Sequence, residues 1–411
     1  MANIPNIRFK GFTDAWEQRK LNEIAEKVTE KNKNNIYNEP LTNSAEMGII
    51  SQKDYFDREV VNEENLDGYY VVRDDDFVYN PRVSVTAPVG PINRNRLGRN
   101  GVMSPLYTIF RTHEINTLYL EYYFKTTKWH IFMKLNGDSG ARFDRFTIAT
   151  SQFMEMPIPY PYLEEQIKIG QYFDNLDHLI TLHQCKCDET KELKKYMLQK
   201  MFPQNGKKIP EIRFAGFTDD WEQRKLIEVC DYVDYRGKTP TKTGTGIFLV
   251  TAKNVKQGYI DYECSKEFIS KDDYEEVMHR GKPEIGDVLI TTEAPCGNVA
   301  QVNSTNIALA QRIIKYRGHN KVVDNTYLKH YLLSPFFQKI LFEKSSGGTV
   351  QGIKGSILHQ QNILYPAFDE QVKIGQYLDN IDNLITLHQR KCDEFKEVKK
   401  FMLQNMFPQK G

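Results

Sequence analysis

The sequence lacks the features that several protein classes require. None of its six cysteines forms a Cys-x-x-Cys pair, and the one close pair, Cys185 and Cys187, has no second pair to complete a tetrahedral zinc site. Reduced, structural thiols are the better interpretation. No stretch approaches the roughly 18 apolar residues that cross a bilayer, and the opening residues lack the apolar core of a signal peptide. We therefore expect a cytoplasmic protein without a membrane partner.

Sequence motifs for catalysis are also missing. The segment Tyr79-Asn80-Pro81-Arg82 begins like the Asn-Pro-Pro-Tyr motif of adenine methyltransferases, but it lacks the aromatic residue that stacks on a flipped base. Thr243–Gly246 contains a lone Gly-x-Gly, and no lysine of the ATP-binding P-loop type follows any glycine loop. We expect no catalytic residue, no metal site and no cofactor in this chain.

What the sequence does contain is a duplication with an offset of 205 residues. Ile4–Leu21 returns as Ile209–Leu226 with 15 of 18 positions identical. Glu165–Gln204 returns as Glu370–Gln409 with 31 of 40 positions identical. The chain is therefore a tandem repeat with almost nothing left over.

The blocks between the repeated segments, 30–150 and 235–355, have little identity. Short similarities survive, such as Asp76-Phe77-Val78 with Asp287-Val288-Leu289. Both blocks mix β-rich runs with turn residues and end in a helical stretch. The sequence thus predicts one mixed α/β fold, used twice with two different surfaces.

The second repeated segment predicts a long helix. Leu163–Phe202 has no internal proline and one glycine, Gly170. Its apolar residues recur at intervals of three and four, and a helix of about 38 residues would be about 57 Å long. The predicted seam comprises Ile169, Phe173, Leu176, Ile180, Cys187, Leu193, Met197 and Met201, with Ile374, Leu378, Ile381, Ile385, Cys392, Val398, Met402 and Met406 in the second copy.

Two such helices can pair as an antiparallel coiled coil. That pairing would place the two variable blocks at opposite ends of a rod and relate them by a pseudo-twofold axis. The alternative is that each helix packs only on its own domain.

Positive charge is segregated within the variable blocks, although the net charge is only +1. Phe77–His113, Tyr235–Ile260 and Ala294–Val323 contain no Asp or Glu. Such surfaces attract phosphate backbones, and Arg, Lys, Asn, Gln, Ser and Thr also read base edges. Our candidate DNA contacts are Asn80, Arg82, Arg94, Arg96, Ser104 and Arg142 in the first block, and Arg236, Lys238, Lys253, Asn254, Thr292, Gln311, Arg312 and Thr349 in the second. Ordinary solvated loops are the alternative.

Taken together, these features resemble the specificity (S) subunit of type I restriction-modification enzymes, over essentially the whole chain. The resemblance rests on the duplicated openings IRFKGFTDAWEQRKL and IRFAGFTDDWEQRKL and on the runs that lead into Glu165-Gln166 and Glu370-Gln371. It also rests on FVYNPR and SPLY in the first variable block, and on RGKTP, LVTAKNV, KPEIGDVLITTEAP and ALAQR in the second.

The resemblance implies a division of the chain into six segments. These are a first conserved segment (1–21), target recognition domain 1 (22–160), a central long helix (161–204), a repeat of the first segment (205–226), target recognition domain 2 (227–365) and a C-terminal long helix (366–411).

The resemblance also implies a non-catalytic role. Each recognition domain would read one half of an asymmetric, bipartite site in double-stranded DNA, and the helices would set the spacer. Two methyltransferase (M) subunits would dock on the repeated segments, and restriction/translocase (R) subunits would join them. S-adenosylmethionine, ATP and Mg²⁺ would be bound by those partners. A non-enzymatic coiled-coil scaffold and a standalone DNA-binding regulator remain the alternatives.

Overall fold

The computed structural model describes residues 4–55, 66–139, 144–204, 206–235, 240–347 and 351–408. The chain forms two compact units, and the first of them is made of two stretches that are far apart in sequence. Unit 1 comprises Met1–His183 with Lys391–Gly411, and unit 2 comprises Gln184–Arg390. Each unit therefore contains residues from both copies of the repeat.

The elements of the first copy alternate short strands with short helices before one long helix. In chain order they are β1 (Glu17–Lys20), α1 (Leu21–Ile24), β2 (Ala25–Lys27), a 3₁₀ turn (Lys33–Asn35), β3 (Leu41–Ser44), β4 (Gly48–Ser51), α2 (Gln52–Tyr55), β5 (Tyr70–Val72), β6 (Phe77–Tyr79), β7 (Ile92–Arg94), β8 (Gly101–Met103), β9 (Thr108–Thr112), α3 (Thr117–Phe124), α4 (His130–Asn136), β10 (Asp138–Ser139), β11 (Phe146–Thr147), α5 (Thr150–Met154), β12 (Pro157–Tyr160) and α6 (Leu163–Lys200).

The second copy repeats this plan with local differences. Its elements are β13 (Glu222–Lys225), α7 (Leu226–Val229), β14 (Cys230–Asp234), β15 (Ile247–Val250), β16 (Phe268–Ile269), α8 (Tyr274–Val277), β17 (Val288–Thr292), β18 (Cys296–Gln301), β19 (Ile307–Leu309), β20 (Ile313–Gly318), α9 (Asn325–Leu333), α10 (Pro335–Lys344), α11 (Gly355–His359), β21 (Asn362–Tyr365) and α12 (Phe368–Asn405).

The central sheet of each unit has the same strand order. It is β2-β9-β6-β7 in unit 1 and β14-β20-β17-β18 in unit 2, antiparallel throughout. The smaller sheets differ: β3–β4 and β5–β8 are two-stranded pairs, whereas β15 lies between β16 and β19 in a three-stranded sheet. The prediction of a mixed α/β fold used twice is confirmed.

A buried strand explains one of the surviving sequence similarities. In β6, Phe77 stacks on Phe110 with ring centroids 5.4 Å apart, while Val78 faces a second cluster that includes Ile109. Because successive side chains point to opposite faces, a central strand covered on both sides must be apolar throughout. The equivalent strand β17 is likewise fully buried.

The long helices form an antiparallel pair within each unit, as predicted. In unit 1, Asp177 of α6 pairs with Lys399 of α12, and the Cys392 thiol donates to the Ile180 carbonyl at 3.9 Å. Residue numbers therefore rise along one helix as they fall along the other. After α12 ends, Phe407 is buried against Tyr119 of α3, with ring centroids 5.6 Å apart.

Unit 2 repeats the contacts between the helices with an offset of 205 residues. Lys194 pairs with Asp382 at 2.5 Å, and the Cys187 thiol donates to the Ile385 carbonyl at 3.8 Å. Phe202, the equivalent of Phe407, packs against Tyr327 of α9 with ring centroids 5.7 Å apart. The duplicated sequence thus encodes duplicated helix contacts.

The assignment of two residues to the predicted apolar seam is wrong. Leu193 and Val398 are exposed, whereas Lys194 and Lys399 are half-buried and Leu198 is buried. A lysine can cover apolar surface with its stem while its ammonium group binds a carboxylate. An apolar periodicity alone could not reveal this exchange.

The near-identical openings are held by buried ion pairs at the start of each long helix. The Arg8 guanidinium binds both carboxylate oxygens of Glu165 at 2.6 and 2.8 Å, and Arg213 binds Glu370 at 2.7 and 2.8 Å. Both glutamates are fully buried. Gln166, the next residue, accepts from the Asn116 backbone amide at the start of α3. These contacts link the opening segment, the start of α3 and the long helix to one another.

Candidate nucleic-acid interface

A cleft in unit 1 collects part of the predicted surface of the first block. It has a volume of about 410 Å³ and is lined by the β3–β4 hairpin, the loop after β6 and the residue Arg145. We call it the reading cleft. Asn80 and Arg82 both line it, and Arg82 is exposed.

Asparagine side chains hold the floor of the reading cleft. The Asn43 amide donates to the Val78 carbonyl at 2.7 Å and accepts from Asn93 at 2.7 Å. The Asn80 amide donates to the Asn43 carbonyl at 2.8 Å, and its oxygen accepts from the Arg82 backbone at 3.0 Å. Asn80 thereby positions the backbone from which the Arg82 side chain projects.

Arg94 and Arg96 are engaged within unit 1. Arg94 binds Glu121 at 2.8 Å and Asp75 at 3.0 Å, and Arg96 binds Glu121 at 2.8 Å and Asp174 of α6 at 2.9 Å. Burial alone would lower the pKa of Arg96, but Glu121 and Asp174 raise it above its ordinary value. Arg96 thus joins α3 to the long helix α6, whereas Arg94 stays within the variable block.

The remaining candidates of the first block are Ser104 and Arg142. The Ser104 hydroxyl accepts from the Leu106 backbone at 3.4 Å within a turn. Arg142 lies outside the described residues, as do Arg236, Lys238 and Thr349 of the second block.

Two candidates of the second block are buried within unit 2. The Asn254 amide donates to the Asp261 and Ser265 carbonyls at 2.8 and 2.9 Å and accepts from the Thr251 backbone at 3.0 Å. The Thr292 hydroxyl donates to the Arg312 carbonyl at 3.3 Å. These side chains shape loops, and a base could reach them only if those bonds opened.

The other described candidates of the second block lie nearer the surface. Lys253 is exposed, and no carboxylate pairs with its ammonium group within the described ranges. Arg312 is exposed, has a left-handed backbone with φ of 74° and lies 3.3 Å from the half-buried Glu293. Gln311 lines a cleft of about 190 Å³. The structure does not gather these three with the buried pair into one pocket.

Two arginines from the acid-free stretches form ion pairs with buried aspartates at equivalent positions of the two units. Arg111 of β9 binds both oxygens of Asp76 at 2.7 and 2.8 Å, and Arg317 of β20 binds Asp287 at 2.6 and 2.8 Å. Burial alone would raise the pKa of Asp287, but hydrogen bonds from Arg317 and from the Glu284 backbone lower it. The two aspartates directly precede the central strands β6 and β17. Each ion pair therefore links the start of a central strand to the neighbouring strand of its sheet.

Sequence reasoning missed Arg145 and the tip of the β3–β4 hairpin. Arg145 is exposed, lines the reading cleft and forms a backbone bridge with Arg82. It follows Asp144, so a search of acid-free stretches passed over it. The hairpin tip carries the exposed Met47. Only the fold brings these elements to the same cleft.

A cluster of His330, Asp379 and Asp382 in unit 2 has the ligand types of a metal site. Its carboxylates are already bound by ammonium groups, Lys329 on Asp379 and Lys194 on Asp382. Local charge is thereby balanced without a metal ion.

No helix among the described residues is long and apolar enough to cross a membrane.

Both helix pairs also present apolar side chains to solvent. We call each exposed set an apolar stripe. The stripe of unit 1 comprises Leu182, Val398 and Phe401, and the stripe of unit 2 comprises Leu387, Leu193 and Tyr196. The two sets are equivalent under the 205-residue repeat, and unit 2 also exposes Leu384, whose counterpart Leu179 is half-buried. Contiguous exposed apolar patches mark sites of protein association.

Comparison with known proteins agrees with this architecture. The family model for the type I restriction modification DNA specificity domain matches residues 13–192 and again 218–397. The type I restriction enzyme MjaVIII specificity subunit of Methanocaldococcus jannaschii is 24% identical over 323 residues, 74% of this chain and 73% of the relative. The putative type I restriction enzyme MjaX specificity subunit of the same organism is 24% identical over 267 residues, 62% of this chain and 59% of that relative.

Among solved structures, the S subunit of the type I restriction-modification system from M. genitalium has a similar fold. Its TM-score is 0.59 at 12% sequence identity, and the match covers 99% of this chain and 100% of that chain.

Proposed function

Because the chain belongs to the type I restriction-modification DNA specificity family, we propose that each of its units reads one half of an asymmetric, bipartite DNA site. Like the specificity subunits to which it is similar, the chain is not itself an enzyme. Its contribution to a restriction-modification complex is the choice of DNA sequence.

One observation carries the proposal: the two units share a central sheet and buried ion pairs but expose different side chains. The central sheet order and the buried Arg–Glu pairs recur in both units. The exposed cations differ, with Arg82 and Arg145 in unit 1 and Lys253 and Arg312 in unit 2. Different side chains on one frame would recognise different bases, so the two half-sites should differ in sequence.

The apolar stripes support docking of two methyltransferase subunits, one on each helix pair. Removal of exposed apolar area from water is the main favourable term in most protein association. Two stripes that are equivalent under the 205-residue repeat would bind two copies of the same partner. S-adenosylmethionine, ATP and Mg²⁺ would then be bound by methyltransferase and translocase subunits and not by this chain.

Mapping of methylated adenines tests the reading of DNA. The chain would be produced together with its methyltransferase subunit in a host without other modification enzymes, and long-read sequencing would locate methyladenine. We expect one interrupted motif with unlike halves. Arg82→Ala with Arg145→Ala should relax only one half, and Arg312→Ala only the other. A single continuous palindrome would refute two-domain reading, and absence of site-specific methylation would favour a scaffold.

Subunit counting tests the docking. Tyr196→Asp and Phe401→Asp are matched variants, because the two residues are equivalent under the repeat and both are exposed. Each variant should retain one methyltransferase subunit by mass photometry, and the double variant should retain none. Retention of two subunits by both single variants would contradict this assignment of the docking surface.

A further inference from the structure

Lysines are the most frequent residues that line a second groove in unit 1. It has a volume of about 650 Å³ and lies between the turn after α3 and the last turns of α12, with Asp177 and Ile180 of α6 at its base. We call it the lysine groove. Its lysines are Lys125, Lys128, Lys396, Lys399 and Lys400.

The positive charge of the lysine groove is only partly compensated. Lys399 binds Asp177, the one carboxylate among the lining residues, and Lys125 lies 3.7 Å from Glu121, which does not line the groove. Within the described part of the chain, no carboxylate pairs with Lys396 or Lys400, and Lys128 donates to the Gln404 carbonyl at 3.1 Å. Burial lowers the pKa of both Lys128 and Lys399. Ammonium groups held together in this way favour a bound anion.

Unit 2 has equivalents of the lysines on the long helix, but it lacks equivalents of the two lysines in the turn after α3. The lysines of α12 recur in α6 as Lys191, Lys194 and Lys195. Counted from the N-cap residues of α3 and α9, however, the places of Lys125 and Lys128 are occupied by Leu333 and Phe336. The groove therefore depends on the variable domain of unit 1. A partner that docks equally on both helix pairs would not need it, whereas the DNA of one half-site would.

The lysine groove and the reading cleft both border a third cleft of unit 1. This third cleft, of about 430 Å³, shares residues with both neighbours. With the lysine groove it shares Lys125, Thr126 and Thr127. With the reading cleft it shares Ala45, Glu46, Met47, Thr86 and Pro91. A strand whose bases lie at the reading cleft can thus follow these three clefts to the lysines.

We propose that the lysine groove binds the phosphate backbone of the DNA that flanks the half-site read by unit 1. Lysine is a compact point charge that binds phosphate without reading bases. The groove would therefore add affinity and register, independent of sequence. This inference rests on the proposed function, because it requires that unit 1 binds DNA.

The salt dependence of DNA binding tests the inference. The full chain, alone, would be titrated against a labelled random-sequence 40-bp duplex at several NaCl concentrations, with fluorescence anisotropy as the readout. Loss of two phosphate contacts in Lys396→Gln/Lys400→Gln should reduce the slope of log K against log[salt] by about 1.8. At 0.1 M salt the affinity should fall by at least about tenfold. The matched control is Lys191→Gln/Lys195→Gln, which changes the equivalent helix positions of unit 2.

Each outcome has a distinct meaning. A reduced slope in the Lys396/Lys400 variant alone supports the lysine groove as a phosphate site. Equal slopes in all three proteins, or equal losses in both variants, refute it while leaving the proposed function intact. Unchanged DNA binding with weakened methyltransferase assembly would instead assign the groove to an acidic protein surface. If the unsubstituted chain binds no duplex at any salt concentration, the proposed function fails as well.

Discussion

Replacement of Arg317 by alanine separates a structural role from a DNA contact. Arg317 belongs to the acid-free, basic stretch Ala294–Val323, whose positive charge would suit DNA, although Arg317 is not one of our candidate contacts. In unit 2, however, its guanidinium binds both oxygens of Asp287, whose side chain is 1% exposed. We therefore expect Arg317→Ala to destabilise unit 2, because the variant leaves a buried carboxylate without its main partner.

The size of the effect follows from burial. Removal of one partner from a buried ion pair costs about 3–5 kcal/mol. Arg317 is 31% exposed, and Lys315 remains 3.3 Å from Asp287, so solvent and a second cation offset part of this cost. We expect about 2–3 kcal/mol, which is roughly a thirtyfold to 150-fold change in an equilibrium constant.

Hydrogen exchange with mass spectrometry measures the effect in each unit separately. Peptides from β17 and β20 should lose protection by that factor in Arg317→Ala, while peptides from unit 1 remain unchanged. Arg111→Ala is the matched variant and should act only on unit 1, through Asp76. Arg317→Ala/Asp287→Asn should recover part of the loss. Unchanged protection together with weaker DNA binding would refute the structural role.

The same pair gives unit 2 a pH dependence of known sign. The pKa of Asp287 lies below its ordinary value of 3.8 in the folded protein. Its contribution to stability is therefore complete above that ordinary value and is lost as the pH falls through the folded pKa. The difference in stability between the parent and Arg317→Ala should be full at pH 7 and should shrink below about pH 4, as measured by urea unfolding.

Three further variants or probes test the helix contacts. A Cβ at Gly170 would lie 2.7 Å from the Leu118 Cβ, whereas one at Gly375 would lie no closer than 3.0 Å to its neighbours, so Gly170→Ala should lower the thermal midpoint more than Gly375→Ala. Burial lowers the pKa of His330 to about 4, so stability should decline as the pH falls from 6.5 towards 4, and His330→Tyr should flatten that decline in urea titrations at several pH values. Maleimide should label the exposed Cys185 of the native protein quickly and the buried Cys187 slowly, by peptide mass spectrometry, and equal rates would contradict the helix pairing.

The long helices and their pairing could be predicted from the sequence, because a helix is specified by a local residue pattern and this pattern occurs twice. An uninterrupted periodicity of three and four residues indicated a helix from Leu163, and the structure extends that helix to Lys200. Repetition indicated that the two helices could pair. The errors at Leu193 and Val398 arose because periodicity ranks residues by polarity, whereas the pairing of the helices places a lysine opposite an aspartate.

The candidate surface could be predicted less well, because an absence of acids in sequence is not an absence of acids in space. Glu121, Asp75 and Asp76 lie just outside Phe77–His113, yet the fold brings them back against the arginines of that stretch. Arg82 remains exposed, whereas Arg94 is almost fully covered. Distinguishing the two requires the tertiary partner of each charge.

The division of each long helix between the units has a consequence for synthesis on the ribosome. Unit 1 is completed by residues from Lys391 onward, including the buried Phe407, and these emerge after every residue of unit 2. Domains usually fold in the order in which they are made. Here the unit that contains the first residues must wait for the last described ones, with Tyr119 and Phe173 uncovered until Phe407 arrives. Vectorial translation would therefore complete the second unit before the first.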